Sequence, residues 1–328
     1  MGFFHSMLTI LAAQLGGITP GFVIDLLTDY GIFLIGCLGL YLLLSAGQVS
    51  LGHAALVGAA AYASGVLAVK FGVPFWAAMP AAGGVGATLG VVYCVLLGWR
   101  LGGFYLAIGS FALGEMMINL WLNIDYLGGA IGLSGIPMQS RWPVVLPVAL
   151  LVLFIIWRLE NSRFGLAFRA VRDHQIVAGS MGIDVARTKL TVWAVAGFIT
   201  GLAGCLHAFR VTVVTPTEFG IYASITYVMA VLLGGLQSFV GTVLGAAIVY
   251  FGPWITTTDD PRDRLMFYGA LLVLIMVLRP QGLLKAGGGG VVLHGAGRLI
   301  RVKRIGAEPS TTYQTATQET DSVHGRSD

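Results

Sequence analysis

RLENSRFGLAFRAVRDHQIVAGSMGIDVARTK, residues 158–189, is the longest polar interruption before the C-terminal tail of an otherwise apolar chain. It holds six of the 19 lysines and arginines, and long apolar segments flank it on both sides. A basic stretch between two apolar segments is typical of a loop that joins membrane spans. The apolar segments around this loop therefore decide the fold.

The composition of the chain excludes an ordinary soluble protein. Hydrophobic residues make up 56% of the chain, charged residues make up 10%, and the mean hydropathy is +0.84. Soluble domains carry about 25% charged residues. Three cysteines lie within apolar segments without a CxxC or Cys/His cluster, so we predict neither a metal site nor a disulfide framework. The net charge of +4 is weak evidence for nucleic acid, and we predict none as a partner.

The apolar segments predict an all-α, polytopic membrane protein with eight to ten transmembrane helices. A spanning helix needs ~20 apolar residues, and continuous apolar runs exclude a barrel. Phe3–Val23, which glycines and a proline interrupt, either crosses or lies at the interface. The other predicted spans are Leu26–Ala46, Leu51–Val69, Phe75–Gly98, Phe104–Asn123, Pro143–Trp157, Leu190–Phe209, Ile221–Leu236, Phe239–Thr257 and Leu265–Leu278.

Two parts of the chain differ in composition. We predict a transmembrane domain over residues 1–286, with its polar loop at about 158–189. Residues 287–328 begin with glycines, continue with basic residues and end rich in Ser and Thr, which predicts a flexible tail. If the polar loop is cytoplasmic, 14 basic residues fall inside and five outside, so the C-terminus is also expected in the cytoplasm.

A short internal similarity leaves the topology open. GQVSLGHAALVGAAAY, residues 47–62, resembles GGLQSFVGTVLGAAIVY, residues 234–250, and Gly52 aligns with Gly241. Transporters are often built from repeats that meet at the transport path. The span count gives both copies the same orientation, so an inverted repeat requires one predicted span to be re-entrant.

The break between the second and third predicted spans is one candidate site. LSAGQVSLGHAAL, Leu44–Leu56, places Gln48, Ser50 and His53 at a short glycine-rich interruption. Non-helical backbone at membrane depth is tolerated where it lines a cavity or is buried in protein. We therefore predict these three residues on the path of a transported molecule. A tight turn with a buried histidine is the alternative.

The predicted span Phe104–Asn123 supplies the other path residues. Glu115 lies well inside an apolar run, where a charge costs a few kcal/mol, so it should face protein or water. We predict Tyr105, Ser110, Glu115 and Asn119 on the same path, although Ser110 and Glu115 do not share one helix face. A structural carboxylate between helices is the alternative for Glu115.

The polar loop has its own helical pattern. Apolar residues recur at helical spacing from Phe164 to Met181, and Gly182 is a plausible helix stop, which predicts one or two short amphipathic helices. This loop either docks a soluble motor or is a basic loop held at lipid headgroups. The predicted coupling residues are Arg163, Gly165, Arg169, Arg172, Asp173, Ala178, Gly182 and Arg187.

Catalytic motifs are missing from the sequence. No GxSxG, HExxH, GxGxxG or Walker A pattern occurs, so we predict that the chain is not an enzyme and binds no cofactor or metal. If ATP powers it, a partner subunit hydrolyses that ATP.

Taken together, the segments of the chain resemble the LivM-type permease subunits of branched-chain amino acid ABC importers. The loop departs mildly from the family pattern at Gln175–Ala178. The matching segments, in family order, are SAGQVSLGHAALVGAAAY (45–62), GFYLAIGSFALGE (103–115), GLSGIP (132–137), NSRFGLAFRAVRDHQIVAGSMGIDVARTKL (161–190), GLAGCLHA (201–208), VLLGGLQSFVGTVLGAAIV (231–249) and RPQGLL (279–284).

The resemblance implies a set of partners and a location. These are a LivH-type second permease, two cytoplasmic ATPase subunits and an extracytoplasmic substrate-binding protein, in the bacterial inner membrane and in contact with its lipid. It also implies that the loop couples to an ATPase. The cargo is expected to be branched-chain amino acids. Urea, amides, other amino acids or sugars are alternatives, as is an ion-coupled secondary transporter that uses Glu115.

Overall fold

The computed structural model describes residues 20–235, 238–255 and 269, and this part of the chain is almost entirely helical. A two-residue antiparallel pair, β1 (Leu133–Ser134) with β2 (Val213–Val214), joins two connections. The helices are α1 (Pro20–Ser45), α2 (His53–Phe71), α3 (Phe75–Tyr93), α4 (Gly103–Leu122), α5 (Trp142–Glu160), α6 (Arg163–Asp173), α7 (Gln175–Ser180), α8 (Val185–Val211), α9 (Ile221–Gly234) and α10 (Phe239–Ile255).

The polytopic all-α prediction is confirmed. Within the described residues, seven helical segments are long and apolar enough to cross a membrane, and Phe239–Gly252 is a shorter apolar helix. Each corresponds to a predicted span, although α1 begins at Pro20 rather than Leu26. The predictions for residues 3–19, for Leu265–Leu278 and for the tail lie outside the described residues, apart from residue 269.

The polar segment 158–189 folds as the short helices α6 and α7, as predicted. We call the end of the bundle that carries them the loop end, and the other end the far end. α8 starts at the loop end and runs for 27 residues, about 40 Å at 1.5 Å per residue, to the far end. It is the most buried of the candidate spans and packs against α1, α2 and α3.

Glycines bring α8 into backbone contact with its neighbours. A Cβ built on Gly86 of α3 would overlap the backbone oxygen of Gly197 of α8, and the reverse also holds. Gly90 abuts the Trp193 oxygen in the same way, and Gly204 abuts the Val57 oxygen of α2. In lipid, helices associate by close packing rather than by the hydrophobic effect, so these glycines fix the centre of the bundle.

The connection between α1 and α2 runs back into the bundle. Residues 46–52 are not helical, and His53, the first residue of α2, has its Nε2 3.0 Å from the Gly36 oxygen of α1. Gly36 lies about two and a half turns before Ser45, the last residue of α1. α2 therefore begins beside the middle of α1, and the break, residues 46–52, lies at the depth of the helices.

The far end is closed by short elements. Single 3₁₀ turns cover Asp125–Leu127, Gly129–Ile131 and Pro216–Phe219. α9 and α10 follow as an antiparallel hairpin, in which Gly234 packs against the Gly241 backbone. Each segment of the internal similarity thus contains the start of the second helix of a consecutive pair. The pair is α1–α2 for residues 47–62 and α9–α10 for residues 234–250.

We expect Gly197→Ala to destabilise the bundle, because its Cβ meets the Gly86 backbone, which cannot move aside as a side chain would. Overpacking of this kind costs about 1–3 kcal/mol. Gly84→Ala on α3 is the matched control: a Cβ there meets nothing within 4 Å. The control should be neutral or gain up to about 1 kcal/mol of helix propensity. Thermal unfolding in detergent measures both, and equal midpoints would contradict this packing.

Candidate functional site

The break concentrates buried polar groups without partners. Gln48, Ser50 and His53 are fully buried. Within the described part of the chain, Gln48 Nε2, Ser50 Oγ and His53 Nδ1 make no hydrogen bond, and the other such buried atom is Ser140 Oγ. Buried polar atoms are nearly always hydrogen-bonded. A cluster of unpaired ones therefore indicates that these side chains are present for a reason other than the stability of the fold.

Side chains from other helices hold the backbone of the break. The Leu51 N–H donates to Ser110 Oγ of α4 at 3.0 Å, and the Ala54 N–H donates to Ser224 Oγ of α9 at 3.2 Å. These hydrogen bonds replace the helical ones that the break gives up, which non-helical backbone at this depth requires. The break is thereby tied to α4, and the start of α2 is tied to α9 and α1.

His53 is the centre of this arrangement. A carbonyl only accepts, so Nε2 donates to the Gly36 oxygen at 3.0 Å, and Thr200 Oγ1 of α8 lies 3.3 Å from the same nitrogen. In a neutral ring Nδ1 is then the acceptor nitrogen. The ring also meets Tyr227 of α9 edge-on, with centroids 5.7 Å apart. Four helices thus converge on one imidazole.

A second polar contact lies nearer the loop end. Trp193 Nε1 of α8 donates to Gln48 Oε1 at 3.4 Å. One turn earlier on α8, the buried Lys189 donates through Nζ to the Gly98 oxygen at 3.0 Å. A buried ammonium group in a spanning helix is costly unless paired, and here it pairs with the carbonyl of a π-helical turn that follows α3. Sequence analysis did not single out Lys189 in this role.

α4 brings only one of its predicted path residues to the break. Ser110 is fully buried and bonds to Leu51, whereas Tyr105 and Asn119 lie on the exposed face of the helix. Glu115 is half-buried, and its backbone oxygen accepts from Asn119 Nδ2 at 2.8 Å. The structure therefore groups Ser110 with Gln48, Ser50 and His53, and places Tyr105 and Asn119 on another surface.

The loop helices rest on the ends of α1 and α5. The Tyr41 hydroxyl of α1 donates to the Glu160 carboxylate at the end of α5, and Arg169 Nη2 donates to the Glu160 backbone oxygen at 3.3 Å. Phe168 and Val171 of α6 are buried. Of the predicted coupling residues, Gly165 and Ala178 are buried, Arg172 is half-buried, and the exposed ones are Arg163, Arg169, Asp173, Gly182 and Arg187.

α7 and the residue after it carry apolar side chains that are largely exposed in the described part of the chain. Ile176 is 89% exposed and Met181, just beyond the helix, is 80% exposed. Both belong to the apolar pattern from Phe164 to Met181 that predicts amphipathic helices. The chain turns immediately afterwards: the Gly182 N–H donates to the Gly179 oxygen at 3.1 Å, so the predicted helix stop is confirmed.

The loop and the break meet at Gly47. Its φ of +72° is in the left-handed region, and a Cβ there would lie 3.2 Å from Cα and Cγ of Arg172 in α6. Glycine is favoured for both reasons, the backbone conformation and the space. Two sites that the sequence suggested separately are therefore in direct contact.

Charged residues at the far end were not predicted as a site. Arg210 of α8 bonds through Nε to Asp29 Oδ1 at 2.6 Å and through Nη2 to Asp25 Oδ1 at 3.0 Å, which joins α8 to α1. His207 Nε2 lies 3.2 Å from Glu218 Oε2. Asp25 and Asp29 are four residues apart, and His207 and Arg210 are three residues apart, so the two members of each pair lie on one helix face. These spacings can be read from the sequence.

Comparison with known proteins agrees with this architecture. A sequence model described as "Branched-chain amino acid transport system / permease component" matches residues 22–276. The chain is 31% identical to the high-affinity branched-chain amino acid transport system permease protein LivM of Salmonella typhimurium, over 86% of this chain and 74% of that protein.

Further relatives extend the comparison. Identity to the LivM protein of Escherichia coli is also 31%, over 80% of this chain and 69% of that protein. The autoinducer 2 import system permease protein LsrC of Enterobacter sp. is 27% identical, over 70% of this chain and 67% of that protein. No solved structure matches the chain.

The family match covers most of the described helices, including the break, the loop and the central helix α8. The multi-pass helical bundle has the architecture that a membrane permease requires. The chain belongs to the family of permease components of branched-chain amino acid transport systems.

Proposed function

We propose that this chain is one of two permease subunits of an ATP-driven importer in the bacterial cytoplasmic membrane. It passes branched-chain amino acids inward from an extracytoplasmic binding protein. The second permease is LivH-type, and two ATPase subunits bind at the loop end, which is cytoplasmic together with the C-terminus. The chain itself binds no cofactor, and ATP is used by the ATPase partner. The contact of α6 with the break at Gly47 is the observation that carries this proposal.

The loop end has the features of a docking surface for a soluble partner. It combines exposed basic residues with the exposed apolar side chains Ile176 and Met181. Protein interfaces pair a buried apolar centre with a polar rim. Pressure on α6 and α7 would reach the break through Arg172 and Gly47, because a Cβ on Gly47 would lie only 3.2 Å from both the backbone and the side chain of Arg172.

The break is suited to alternating access. Gln48, Ser50 and His53 are fully buried, so no molecule passes them in this conformation. Their unpaired polar atoms would offer hydrogen-bond partners to water or cargo if the break opened. We expect motion of α6 to shift the break against α4 and α9, and thereby to open the path on one side at a time.

Ile176→Asp should release the ATPase partner. Burying a carboxylate where the apolar side chain docks is costly, so we expect at least about a tenfold loss of affinity, or ~1.4 kcal/mol. The measurement is retention of the ATPase when the complex is purified in mild detergent. Ile131→Asp is the matched control, since Ile131 is 86% exposed at the far end. Equal ATPase retention by the two variants would remove α7 from the docking surface.

Gly47→Ala should uncouple ATP hydrolysis from uptake. Its Cβ presses on Arg172 and displaces α6 from the break, so fewer molecules should enter per ATP hydrolysed by the reconstituted complex. Gly72→Ala is the control, with a similar φ of +63° and nothing within 4 Å of its Cβ. Both variants carry ~1–2 kcal/mol of backbone strain. A ratio of uptake to hydrolysis that falls equally in both would show that strain, and not the Arg172 contact, is responsible.

The proposed cargo can be tested by competition. An importer of branched-chain amino acids should lose labelled leucine uptake when valine or isoleucine is in excess, and should keep it in excess ribose, urea or acetamide. Cells that carry the complete transporter give this measurement directly. Suppression by ribose alone would place the chain with the sugar permeases to which the family is related.

A further inference from the structure

A large opening lies at the far end of the molecule. A cleft of about 690 Å³ is enclosed by the far ends of α1 and α8, the 3₁₀ turn Pro216–Phe219, the start of α9, and Tyr250 of α10. This volume is within the range of small-molecule sites. None of the path residues predicted from the sequence lines it.

Both signs of charge occur on the cleft wall. Arg210 and Asp29 form one pair, and His207 and Glu218 form the other. His207 and Arg210 are three residues apart on α8 and therefore neighbours on one face. The Asp29 and Glu218 side chains remain 40% and 39% exposed, so both carboxylates have surface left for a further cation.

Arg210 also has donors to spare. Its hydrogen bonds to Asp25 and Asp29 use Nε and Nη2, and Nη1 makes none within the described residues. A guanidinium group has five N–H donors, and Nη1 carries two of them. An incoming carboxylate can therefore bind Arg210 without breaking its ion pairs.

The rest of the cleft is apolar and aromatic. Ile32 and Phe33 of α1 face Ala223 and Tyr227 of α9, and the Phe33 and Tyr227 rings stack at 5.0 Å. These surfaces suit an aliphatic side chain, while carboxylates and an arginine suit the two charges of an amino acid.

We propose that this far-end cleft binds an aliphatic α-amino acid as its zwitterion. The ammonium group sits at Asp29 and Glu218, the carboxylate at Arg210 Nη1, and the side chain against Phe33 and Tyr227. This assignment rests on the proposed function, because it gives the imported molecule its first site on the permease. Tyr227 is then the floor of the site, since its ring also contacts His53 beside the break.

The test is protection of an introduced thiol. Ala223→Cys places a thiol in the cleft, whereas the native Cys37, Cys94 and Cys205 are all buried. We expect leucine to slow alkylation of this thiol by N-ethylmaleimide in the purified transporter complex without binding protein. At leucine three times its Kd the rate should fall about fourfold, as 1 + [L]/Kd. Ala130→Cys, in an exposed far-end turn outside the cleft, should show no protection.

Two further comparisons test the chemistry. 3-Methylbutylamine carries only the ammonium group and 4-methylpentanoate carries only the carboxylate, so each should protect far less than leucine. Glu218→Gln keeps the shape of the side chain but removes its charge, and leucine protection should weaken in Ala223→Cys/Glu218→Gln.

Three results would overturn the proposal. They are no protection by leucine up to its solubility limit, equal protection by the amine alone, and full protection despite Glu218→Gln. ATP-dependent leucine uptake by the unmodified complex is measured alongside. Uptake without protection removes only the cleft assignment, whereas the absence of any amino acid uptake removes the proposed function.

Discussion

The structure depends on the backbone-to-backbone contact between α8 and the helices around it. Gly86 and Gly197 each occupy the space that the other's Cβ would need. A Cβ on Gly204 would likewise overlap the Val57 backbone oxygen of α2. Such contacts leave no compressible side chain in between, so α2, α3 and α8 are expected to behave as one unit. Every polar group of the candidate path is positioned relative to this unit, including Thr200 on α8 and Trp193 one turn from the Gly197 contact.

Much of the fold could be predicted from the sequence because the lipid environment imposes simple rules. Apolar segments of sufficient length had to be helices, and the polar segment 158–189 had to lie outside them. The glycine-rich break was also visible, since no spanning helix would interrupt itself with Gly47 and Gly52 without reason. What the sequence could not give was the depth of the break, because that depends on His53 reaching Gly36 through space.

The candidate site shows the same limit. Ser110, Gln48, Ser50 and His53 do assemble, but Tyr105 and Asn119 face away because helix geometry separates positions that composition alone groups together. The far-end ion pairs escaped sequence analysis for a different reason. Asp29 and Arg210 are 181 residues apart, and one sequence carries no signal that pairs two distant charges. Only the folded bundle shows that they line one cleft with Glu218.

These features form a continuous sequence of contacts across the membrane domain. Tyr227 lines the far-end cleft and touches His53, His53 adjoins the break, and the break touches α6 at Gly47. The tightly packed unit around α8 has little freedom to slide, and His53, the first residue of α2, connects it to this line of contacts. Gly52, the last residue of the break, also packs against the α4 backbone at Ser110. Motion that enters at the loop end is therefore expected to concentrate where side chains make the contact, as the Tyr227 ring does against His53.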